Sequence, residues 1–276
     1  MAALDDKTLI LGVGAQKAGT SWLRHYLASR PEIWMASGIK EMNILNILFK
    51  DQSPDARTSD ALQRLRQTII KAGDEIVFSG QLGELIDRVR AQFMPQGYKQ
   101  FFECRVGEEP FFADITPAYA RMPVEAFEFV KRQFPRTKTI FLLRDPVDRH
   151  FSALRMREGR KGRIDAVSTF SRALERPSFR SWSEYHVTYG NLRAVFPKED
   201  IFVGFYETLF ADAEIERLCS FIGIPFIPGN YQEVINPSIP KKPVPEKEWE
   251  AARKKLADVY DFCRAEFGSA VPASWG

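Results

Sequence analysis

Cysteine and histidine are scarce in this chain of 276 residues, which has three of each. The cysteines, Cys104, Cys219 and Cys263, are odd in number and widely spaced, so they indicate neither a disulfide framework nor a metal site, and we expect buried, reduced thiols. No apolar run reaches the length of a membrane span, and the N-terminal segment MAALDDKT lacks a basic region followed by an apolar stretch. These absences predict a cytoplasmic protein and leave open a peripheral membrane contact.

A large excess of charge of one sign is also lacking. The 39 lysines and arginines and the 36 aspartates and glutamates give a formal net charge of +3. This balance is too mild to indicate a nucleic-acid partner, although it is compatible with an anionic ligand. Hydrophobic residues make up 45% of the sequence, enough for a large core, and we expect one domain over residues 1–276 with a helical insertion at about 51–109.

The segment LILGVGAQKAGTSWL, residues 9–23, carries the strongest functional pattern in the chain. Residues 9–13 are apolar and predict a buried strand, the glycines that follow allow a tight turn, and Thr20 suits a helix start. Lys17 adds a positive charge to the turn. Backbone N–H groups, the helix dipole and a lysine all favour negative charge at one place, so the segment predicts a cradle for a phosphate or a sulfate.

Two common nucleotide loops are missing from this segment. The ATP and GTP loop G-x-x-x-x-G-K-[ST] has its lysine directly after the last glycine, whereas Lys17 precedes Gly19. The dinucleotide fingerprint G-x-G-x-x-G requires a glycine at position 17. A structural strand-to-helix turn with a surface lysine explains the segment equally well when it is taken alone.

A second segment, KTIFLLRDPVDRHFSAL at residues 138–154, has a related pattern. A buried strand ends in Arg144, Asp145 suits a helix N-cap, and Pro146 suits the first helical turn. Ser152 follows in the predicted helix. Because ligands of open parallel sheets bind outside the carboxyl ends of the strands, we expect Arg144 and Ser152 to face the same ligand as the first loop. An Arg–Asp ion pair that caps the helix is the alternative.

Together these segments resemble the sulfotransferases that use 3'-phosphoadenosine 5'-phosphosulfate (PAPS). GAQKAGTSWL is similar to that family's loop for the 5'-phosphosulfate, and LLRDPVDRHFS is similar to its Arg…Ser site for the 3'-phosphate. The resemblance continues into IFVGFYETL at residues 201–209 and a basic pair, Lys241-Lys242. Lys40-Glu41 follows the first predicted helix, as in the bacterial and heparan-type branch of the family.

The resemblance implies a P-loop-like fold and assigns roles to particular residues. Lys17 is expected to stabilise charge on the bridging and leaving oxygens, and Glu41 to deprotonate the acceptor. The residues implied in binding PAPS, or its product PAP, are Gln16, Lys17, Ala18, Gly19, Thr20, Ser21, Trp22, Arg144, Ser152, Tyr206, Lys241 and Lys242. No metal is expected, because a sulfuryl group carries less charge than a phosphoryl group. His186 is a reserve base, and Lys40-Glu41 has an exposed charge pair as its alternative.

Apolar periodicity predicts the secondary structure. Strands are expected at residues 9–13, 111–115, 138–143 and 201–205, and helices at residues 20–29, 59–71, 82–93, 123–134 and 246–267. This alternation predicts an α/β fold with a mainly parallel central sheet flanked by helices.

Three segments each have two interpretations. FFADITPAY at residues 111–119 resembles a Thr-Pro-x-Tyr segment of the family, so Asp114 and Thr116 either line the cleft or form a turn. The basic run at residues 155–163 either attracts an acidic saccharide or a membrane surface, or is a solvated loop. The Lys241-Lys242 pair either closes over the 3'-phosphate or is a surface turn.

Three classes of function follow from the sequence. The first is a PAPS-dependent sulfotransferase that acts on a hydroxyl or an amine of a saccharide, a lipid or a small metabolite. The second is a P-loop nucleotide-dependent kinase, which requires ATP and magnesium. The third is a non-catalytic nucleotide-binding protein with the same fold. The sequence favours the first class, and it names neither the acceptor nor the oligomeric state.

Overall fold

The computed structural model describes residues 4–49, 63, 81–161, 165–232 and 243–276. The strands are β1 (Thr8–Gly14), β2 (Ile33–Trp34), β3 (Phe111–Ile115), β4 (Thr137–Leu143) and β5 (Ile201–Phe205). The helices are α1 (Thr20–Ala28), α2 (Leu45–Leu48), α3 (Gln81–Phe93), α4 (Gly97–Glu103), α5 (Val124–Gln133), α6 (Pro146–Lys161), α7 (Phe170–Ala173), α8 (Pro177–Arg180), α9 (Tyr185–Arg193), α10 (Asp212–Ile222), α11 (Glu246–Lys255) and α12 (Ala257–Phe267).

The five strands form one parallel sheet in the order β2-β3-β1-β4-β5. β1 pairs with β3 so that Thr8 lies opposite Phe111 and Gly12 opposite Ile115. A Cβ on Gly12 would lie 2.6 Å from Ile115 Cδ1, so this register requires a residue without a side chain. The predicted α/β fold with a parallel sheet flanked by helices is confirmed.

The chain divides into two compact units. Unit 1 comprises Met1–Val13 and Leu27–Thr139, and unit 2 comprises Gly14–Tyr26 and Ile140–Gly276. The single domain and the helical insertion expected from the sequence stay predictions.

Aromatic side chains from α4, β3 and the end of α5 form much of the core of unit 1. Phe102 contacts Phe112 with ring centroids 4.8 Å apart, and Phe112 contacts Phe134 at 5.3 Å. Tyr98 lies in the same cluster, 5.3 Å from Phe134. All four side chains are buried, and such edge-to-face and tilted pairs add to the stabilisation from buried area.

The core of unit 2 lies around the end of β4 and the C-terminal helix. Residues 140–143 of β4 are completely buried, and α12 buries Val259, Tyr260 and Cys263. Trp275, near the C-terminus, packs on Phe205 of β5 with ring centroids 5.4 Å apart. The C-terminal helix therefore contributes an apolar side to this core.

Most predicted elements are present with small changes in their bounds. The strands at 111–115 and 201–205 are confirmed, and the helices expected at 20–29, 82–93 and 123–134 are α1, α3 and α5. The helix expected at 59–71 lies outside the described residues. The single helix expected at 246–267 is two helices, α11 and α12, because the chain leaves helical geometry at the buried Leu256 (φ −115°, ψ 15°).

The prediction of a solvated loop for the basic run is wrong for residues 155–161, because α6 continues to Lys161. Arg155 is only 8% exposed, with its guanidinium carbon 5.7 Å from the ring centroid of Phe151. The guanidinium carbon of Arg157 lies 4.1 Å from the ring of Phe179. These arginines pack their side chains on aromatic rings, which stabilises the helix where composition alone indicates a loop.

The cysteine prediction is correct for two residues and wrong for one. Cys219 and Cys263 are buried free thiols, whereas Cys104, at the end of α4, is an exposed free thiol. Cys104 is exposed because it follows the last residue of α4, whereas the aromatic side chains of α4 face the core. Within the described ranges, no helix is both long and apolar enough to cross a membrane.

Candidate active site

The loop between β1 and α1, residues 15–19, turns tightly in unit 2. Lys17 and Gly19 both have positive φ, 74° and 86°. A Cβ on Gly19 would lie 2.7 Å from Leu209 Cδ2, so this packing needs glycine. Helix α1 begins at once, with Leu23 N donating to the carbonyl of Gly19 at 3.0 Å. The N–H groups of the first turn have no acceptor within the helix and point towards the loop.

Arg144, the first residue after β4, joins this loop to a second segment of unit 2. Its Nη1 donates a hydrogen bond to the carbonyl of Lys17 at 3.2 Å. Its guanidinium carbon lies 4.5 Å from the ring centroid of Tyr206, which follows β5. Its Nε is buried and has no hydrogen-bond partner among the described residues. A buried guanidinium N–H without an acceptor is the group that a phosphate or sulfate oxygen would satisfy.

Asp145 caps α6, as the sequence predicted. Its Oδ1 accepts hydrogen bonds from Val147 N at 2.9 Å and Asp148 N at 3.0 Å, and both carboxylate oxygens lie 2.9 Å from the hydroxyl of Tyr260. Burial raises the pKa of this carboxyl above its ordinary value. The carboxylate is therefore engaged with the helix and Tyr260, while Arg144 points to the loop.

The other residues implied in donor binding differ in burial. Half-buried are Gln16, Lys17, Gly19, Ser21, Arg144, Ser152 and Tyr206, and buried are Ala18, Thr20 and Trp22. A hydrogen bond and a cation–π contact join Lys17, Arg144 and Tyr206, whereas Ser152 lies two turns further along the chain, in α6. Lys241 and Lys242 lie outside the described residues.

Trp22 is only 5% exposed and belongs to an aromatic cluster that sequence reasoning missed. It stacks on Tyr26 and Tyr231 at 5.5 and 5.9 Å, and its Nε1 donates to the carbonyl of Asn230 at 3.1 Å. Phe210 packs edge-on against it at 5.4 Å. The segment at 229–231 has no motif that links it to the first loop, so only the structure brings them together.

Lys40-Glu41 lies in unit 1, in the loop after β2. Lys40 is exposed and Glu41 is half-buried. The carbonyl of Glu41 accepts hydrogen bonds from Arg88 Nη1 at 3.3 Å and from Asn43 Nδ2 at 3.2 Å. Two side-chain donors therefore hold the carbonyl of Glu41, and the role of its carboxylate as a base stays a prediction.

Asp114 and Thr116, which the sequence placed in a cleft or a turn, are both buried in unit 1, and Thr116 begins a turn in which Tyr119 N donates to its carbonyl at 3.0 Å. Asp114 is 1% exposed, and its carboxylate accepts hydrogen bonds from Thr116 Oγ1 at 2.6 Å, Tyr98 OH at 2.8 Å and Tyr119 OH at 2.9 Å. Burial raises the pKa of Asp114 to about 6, although the three hydroxyls oppose that rise. Sequence reasoning missed Tyr98, because it lies on a different element with no shared motif.

The histidines have different environments. His150 is fully buried, its Nε2 lies 3.0 Å from the carbonyl of Phe170, and burial lowers its pKa to about 4, so it packs as a neutral side chain. His186 is half-buried on α9 with its ring 6.0 Å from that of Phe262. Across the described part of the chain, no three histidine, cysteine, aspartate or glutamate side chains cluster as metal ligands.

The comparisons with known proteins agree with this architecture. A family model of the sulfotransferase family matches residues 10–228, which is well over half of the 276 residues. The chain therefore belongs to the sulfotransferase family. This confirms the family that the two sequence motifs resemble, whereas the heparan-type branch stays a prediction.

Solved structures show the same fold. A sulfotransferase from Alicyclobacillus acidocaldarius is similar with a TM-score of 0.66 and 20% identity, and the match covers 98% of each chain. The sulfotransferase STF9 from Mycobacterium avium is similar with a TM-score of 0.50 and 14% identity, over 95% of this chain and 77% of that one. No curated protein sequence gave a match.

Proposed function

We propose that this chain is an enzyme that transfers a sulfuryl group from PAPS to a hydroxyl or an amine of an acceptor, and that PAP is the second product. The observation that carries the proposal is the position of Arg144 in unit 2. It bonds to the carbonyl of Lys17, stacks on Tyr206, and has a buried Nε for which the described residues supply no acceptor. This one side chain links the two motifs that resemble the family's donor site, and it has a free donor for an anion.

In the proposed reaction, the acceptor's oxygen or nitrogen forms a bond to sulfur as the bond between sulfur and the donor's 5'-phosphate oxygen breaks. The acceptor's proton passes to the Glu41 carboxylate, and PAP leaves. Lys17 and the first-turn N–H groups of α1 favour the negative charge that grows on the leaving oxygen. Holding donor and acceptor in line contributes as much as any single charge, by analogy with phosphoryl transfer.

Residues of the second motif supply the proposed affinity for the 3'-phosphate. Arg144 is the main contact, and Ser152 adds a hydroxyl from α6. A charge-assisted hydrogen bond contributes about 1.5–3 kcal/mol, so we expect the loss of Arg144 to weaken PAP binding by about 10- to 150-fold. Lys241 and Lys242 are proposed to approach the same phosphate, in line with the family resemblance.

Calorimetry tests the donor assignment. PAP is titrated against ADP, ATP and 5'-AMP, with and without magnesium, into the wild type and Arg144→Ala. Arg193→Ala is the matched control, because Arg193 is an exposed arginine of the same unit that donates a long hydrogen bond, 3.4 Å, to the nearby carbonyl of Phe196. We expect magnesium-independent binding of PAP that is weakened in Arg144→Ala and unchanged in Arg193→Ala.

Two results would overturn the proposal. A preference for ATP with magnesium would favour the kinase, and binding of none of these nucleotides would favour a protein that has lost the donor site. Family membership counts against the kinase, since the matching family is defined by sulfotransferases. The acceptor class, transfer to oxygen or nitrogen, and the cytoplasmic location stay predictions from the sequence.

A further inference from the structure

Unit 1 contains a closed hydrogen-bond network around the buried carboxylate of Asp114. Thr116 Oγ1 donates to Oδ1 at 2.6 Å, and the hydroxyls of Tyr98 and Tyr119 donate to Oδ2 at 2.8 and 2.9 Å. Burial and the neighbouring Asp114 raise the pKa of both tyrosines well above the ordinary value, so their hydroxyls remain protonated donors. Each oxygen of the carboxylate therefore accepts at least one hydroxyl proton from the protein.

Two of these hydroxyls pass the interaction on to the backbone. A hydroxyl has one proton to donate, and because Thr116 and Tyr119 give theirs to Asp114, their oxygens are left as acceptors. Thr116 Oγ1 accepts from Met42 N at 3.0 Å, and Tyr119 OH accepts from Ile44 N at 3.0 Å. By accepting these two hydroxyl protons, the carboxylate orients both hydroxyls so that each oxygen accepts a hydrogen bond from a backbone N–H group.

The carbonyls of the same backbone segment are held by α3. Arg88 Nη1 donates to the carbonyl of Glu41 at 3.3 Å, and one turn later Gln92 Nε2 donates to the carbonyl of Met42 at 3.1 Å. Between the two anchored amides lies Asn43, whose φ of 54° is in the left-handed region. Such a conformation costs free energy and persists where surrounding contacts determine it, as they do here.

We propose that Asp114 is a positioning residue that acts through Thr116 and Tyr119 on the backbone of residues 42–44 and thereby orients Glu41. This inference rests on the proposed function, in which Glu41 is the general base. Asp114 is not itself a base in this scheme, because both its oxygens accept hydroxyl protons and the side chain is 1% exposed. A base must be held within about 0.5 Å of its working position. The hydrogen bonds to the amides of Met42 and Ile44 and to the carbonyls of Glu41 and Met42, which we call the clamp, hold the backbone at Glu41.

The network makes a test possible that does not depend on activity. Thr116→Val removes the acceptor of the Met42 amide, and Tyr119→Phe removes the acceptor of the Ile44 amide. Tyr98→Phe is the matched control, because Tyr98 donates to the same carboxylate and contacts neither amide through its hydroxyl. Hydrogen exchange resolved by residue is expected to speed up about tenfold at Met42 in the first variant and at Ile44 in the second, with both amides unchanged in the control.

Amides of the buried strand β3 distinguish a local effect from general destabilisation. If exchange at β3 speeds up as much as exchange at residues 42 and 44, or if Met42 and Ile44 are unaffected in their own variants, the clamp does not exist and the inference is overturned. Asp114→Asn is expected to speed up exchange at both amides. The NH₂ group of the asparagine is a donor at a place where a hydroxyl proton needs an acceptor. Should that variant fold poorly, the Thr116 and Tyr119 variants still decide the matter.

Kinetics then test whether the clamp acts on Glu41. PAP release from PAPS is followed with the best acceptor from a panel of phenols, amino sugars and saccharides. Tyr119→Phe is expected to lower kcat about tenfold with the KM for PAPS unchanged. In a Glu41→Gln background, Tyr119→Phe is expected to lower kcat no further. If the two substitutions lower kcat by independent factors that multiply, Tyr119 does not act through Glu41.

The two proposals fail in different ways. Wild-type protein that neither binds PAP nor releases it from PAPS would refute the proposed function, and the exchange experiment would still report on the clamp. Full turnover in Glu41→Gln would show that Glu41 is not the base, and the clamp would then have no role in catalysis. Active wild type with a kcat that falls equally in Tyr98→Phe and Tyr119→Phe would overturn the inference and leave the proposed function standing.

Discussion

Unit 1 and unit 2 each bury a charged side chain almost completely, and the two environments are opposite. Asp114 in unit 1 accepts hydrogen bonds from three hydroxyls. Arg149 in unit 2 donates one, from Nε to Ser183 Oγ at 2.7 Å, while Nη1 and Nη2 are buried without a partner among the described residues. Both side chains are 1% exposed. The difference is therefore in their partners and not in their burial.

The pKa values reflect this difference. Burial raises the pKa of Asp114 to about 6 against the pull of its hydroxyl donors. Burial is the main cause that lowers the pKa of Arg149 to about 10, and the positive charges of Arg157 and Arg144 contribute to this lowering. A satisfied buried charge determines the geometry of its neighbours, whereas an incompletely satisfied one adds a cost to folding and favours an anion nearby. Unit 1 thus has the features of a scaffold and unit 2 those of an anion site.

Replacing Asp114 should have the largest effect on stability. In Asp114→Leu three buried hydroxyls lose their acceptor, and each such loss costs about 1–3 kcal/mol, so we expect the free energy of unfolding to fall by about 3 kcal/mol or more. Urea denaturation with an unchanged m-value measures it. Glu103→Leu, at a half-buried position of the same unit, is the control, and a loss below about 1 kcal/mol in Asp114→Leu would contradict a stabilising role of the three hydroxyl bonds.

Stability should also depend on pH through Asp114. Its folded pKa of about 6 lies above the ordinary value of 3.8, so between these values the native state binds a proton that the unfolded state does not. Stability from this group is therefore largest below pH 4 and is lost as pH rises through 6, with a slope of at most about 1.4 kcal/mol per pH unit.

Urea titrations at several pH values between 4 and 7.5, on the wild type and Asp114→Asn, measure this dependence. The asparagine does not titrate, so the difference between the two proteins isolates the carboxyl. A difference that stays constant with pH, or that grows in the wild type's favour as pH rises, would mean that the folded pKa is not raised.

Strong local patterns explain why much of the fold is predictable from the sequence. Strands β3, β4 and β5 are short apolar runs with clear ends, and the Asp145-Pro146 pair marks the start of α6. The loop between β1 and α1 is recognisable because a tight turn requires glycine, and Gly19 does have positive φ and no room for a Cβ. Local chemistry that constrains the backbone therefore leaves a trace in the sequence.

The network around Asp114 and the burial of Arg149 leave no such trace. Tyr98 lies on α4, Thr116 and Tyr119 follow β3, and the groups they hold are backbone amides, which every sequence contains. Arg149 lies in a charged helix, where an arginine is ordinarily a surface residue, and its burial depends on Ser183 from a distant segment. The same reason explains why the helix at 155–161 was not predicted: its arginines pack on rings brought there by the fold.

Replacing Arg149 by methionine should change stability far less than replacing Asp114. The variant loses one hydrogen bond to Ser183 and some packing, and it also removes two buried NH₂ groups for which the described part of the chain offers no acceptor. Because these effects oppose each other, we expect an unfolding free energy within about 1 kcal/mol of the wild type. Urea denaturation beside Arg193→Met, an exposed control, measures it, and a loss as large as that of Asp114→Leu would reveal that the guanidinium has an anionic partner in the free protein.

The smallest effect, and the one that sharpens the comparison most, is the effect of Arg149 on PAP binding. Its charge and that of Arg144 influence each other, so an anion bound at Arg144 should also be attracted by Arg149. Because solvent partly screens it, this attraction between Arg149 and the bound anion contributes about 0.4–1 kcal/mol. We therefore expect Arg149→Met to bind PAP about two- to fivefold more weakly. Ser183→Ala, which removes the bond at Nε and keeps the charge, should bind PAP normally in the same calorimeter. A loss equal to that of Arg144→Ala would mean that Arg149 contacts the donor directly. Unchanged affinity in Arg149→Met would mean that the charge of Arg149 does not act on bound PAP, and the contrast with Asp114 would then concern stability alone.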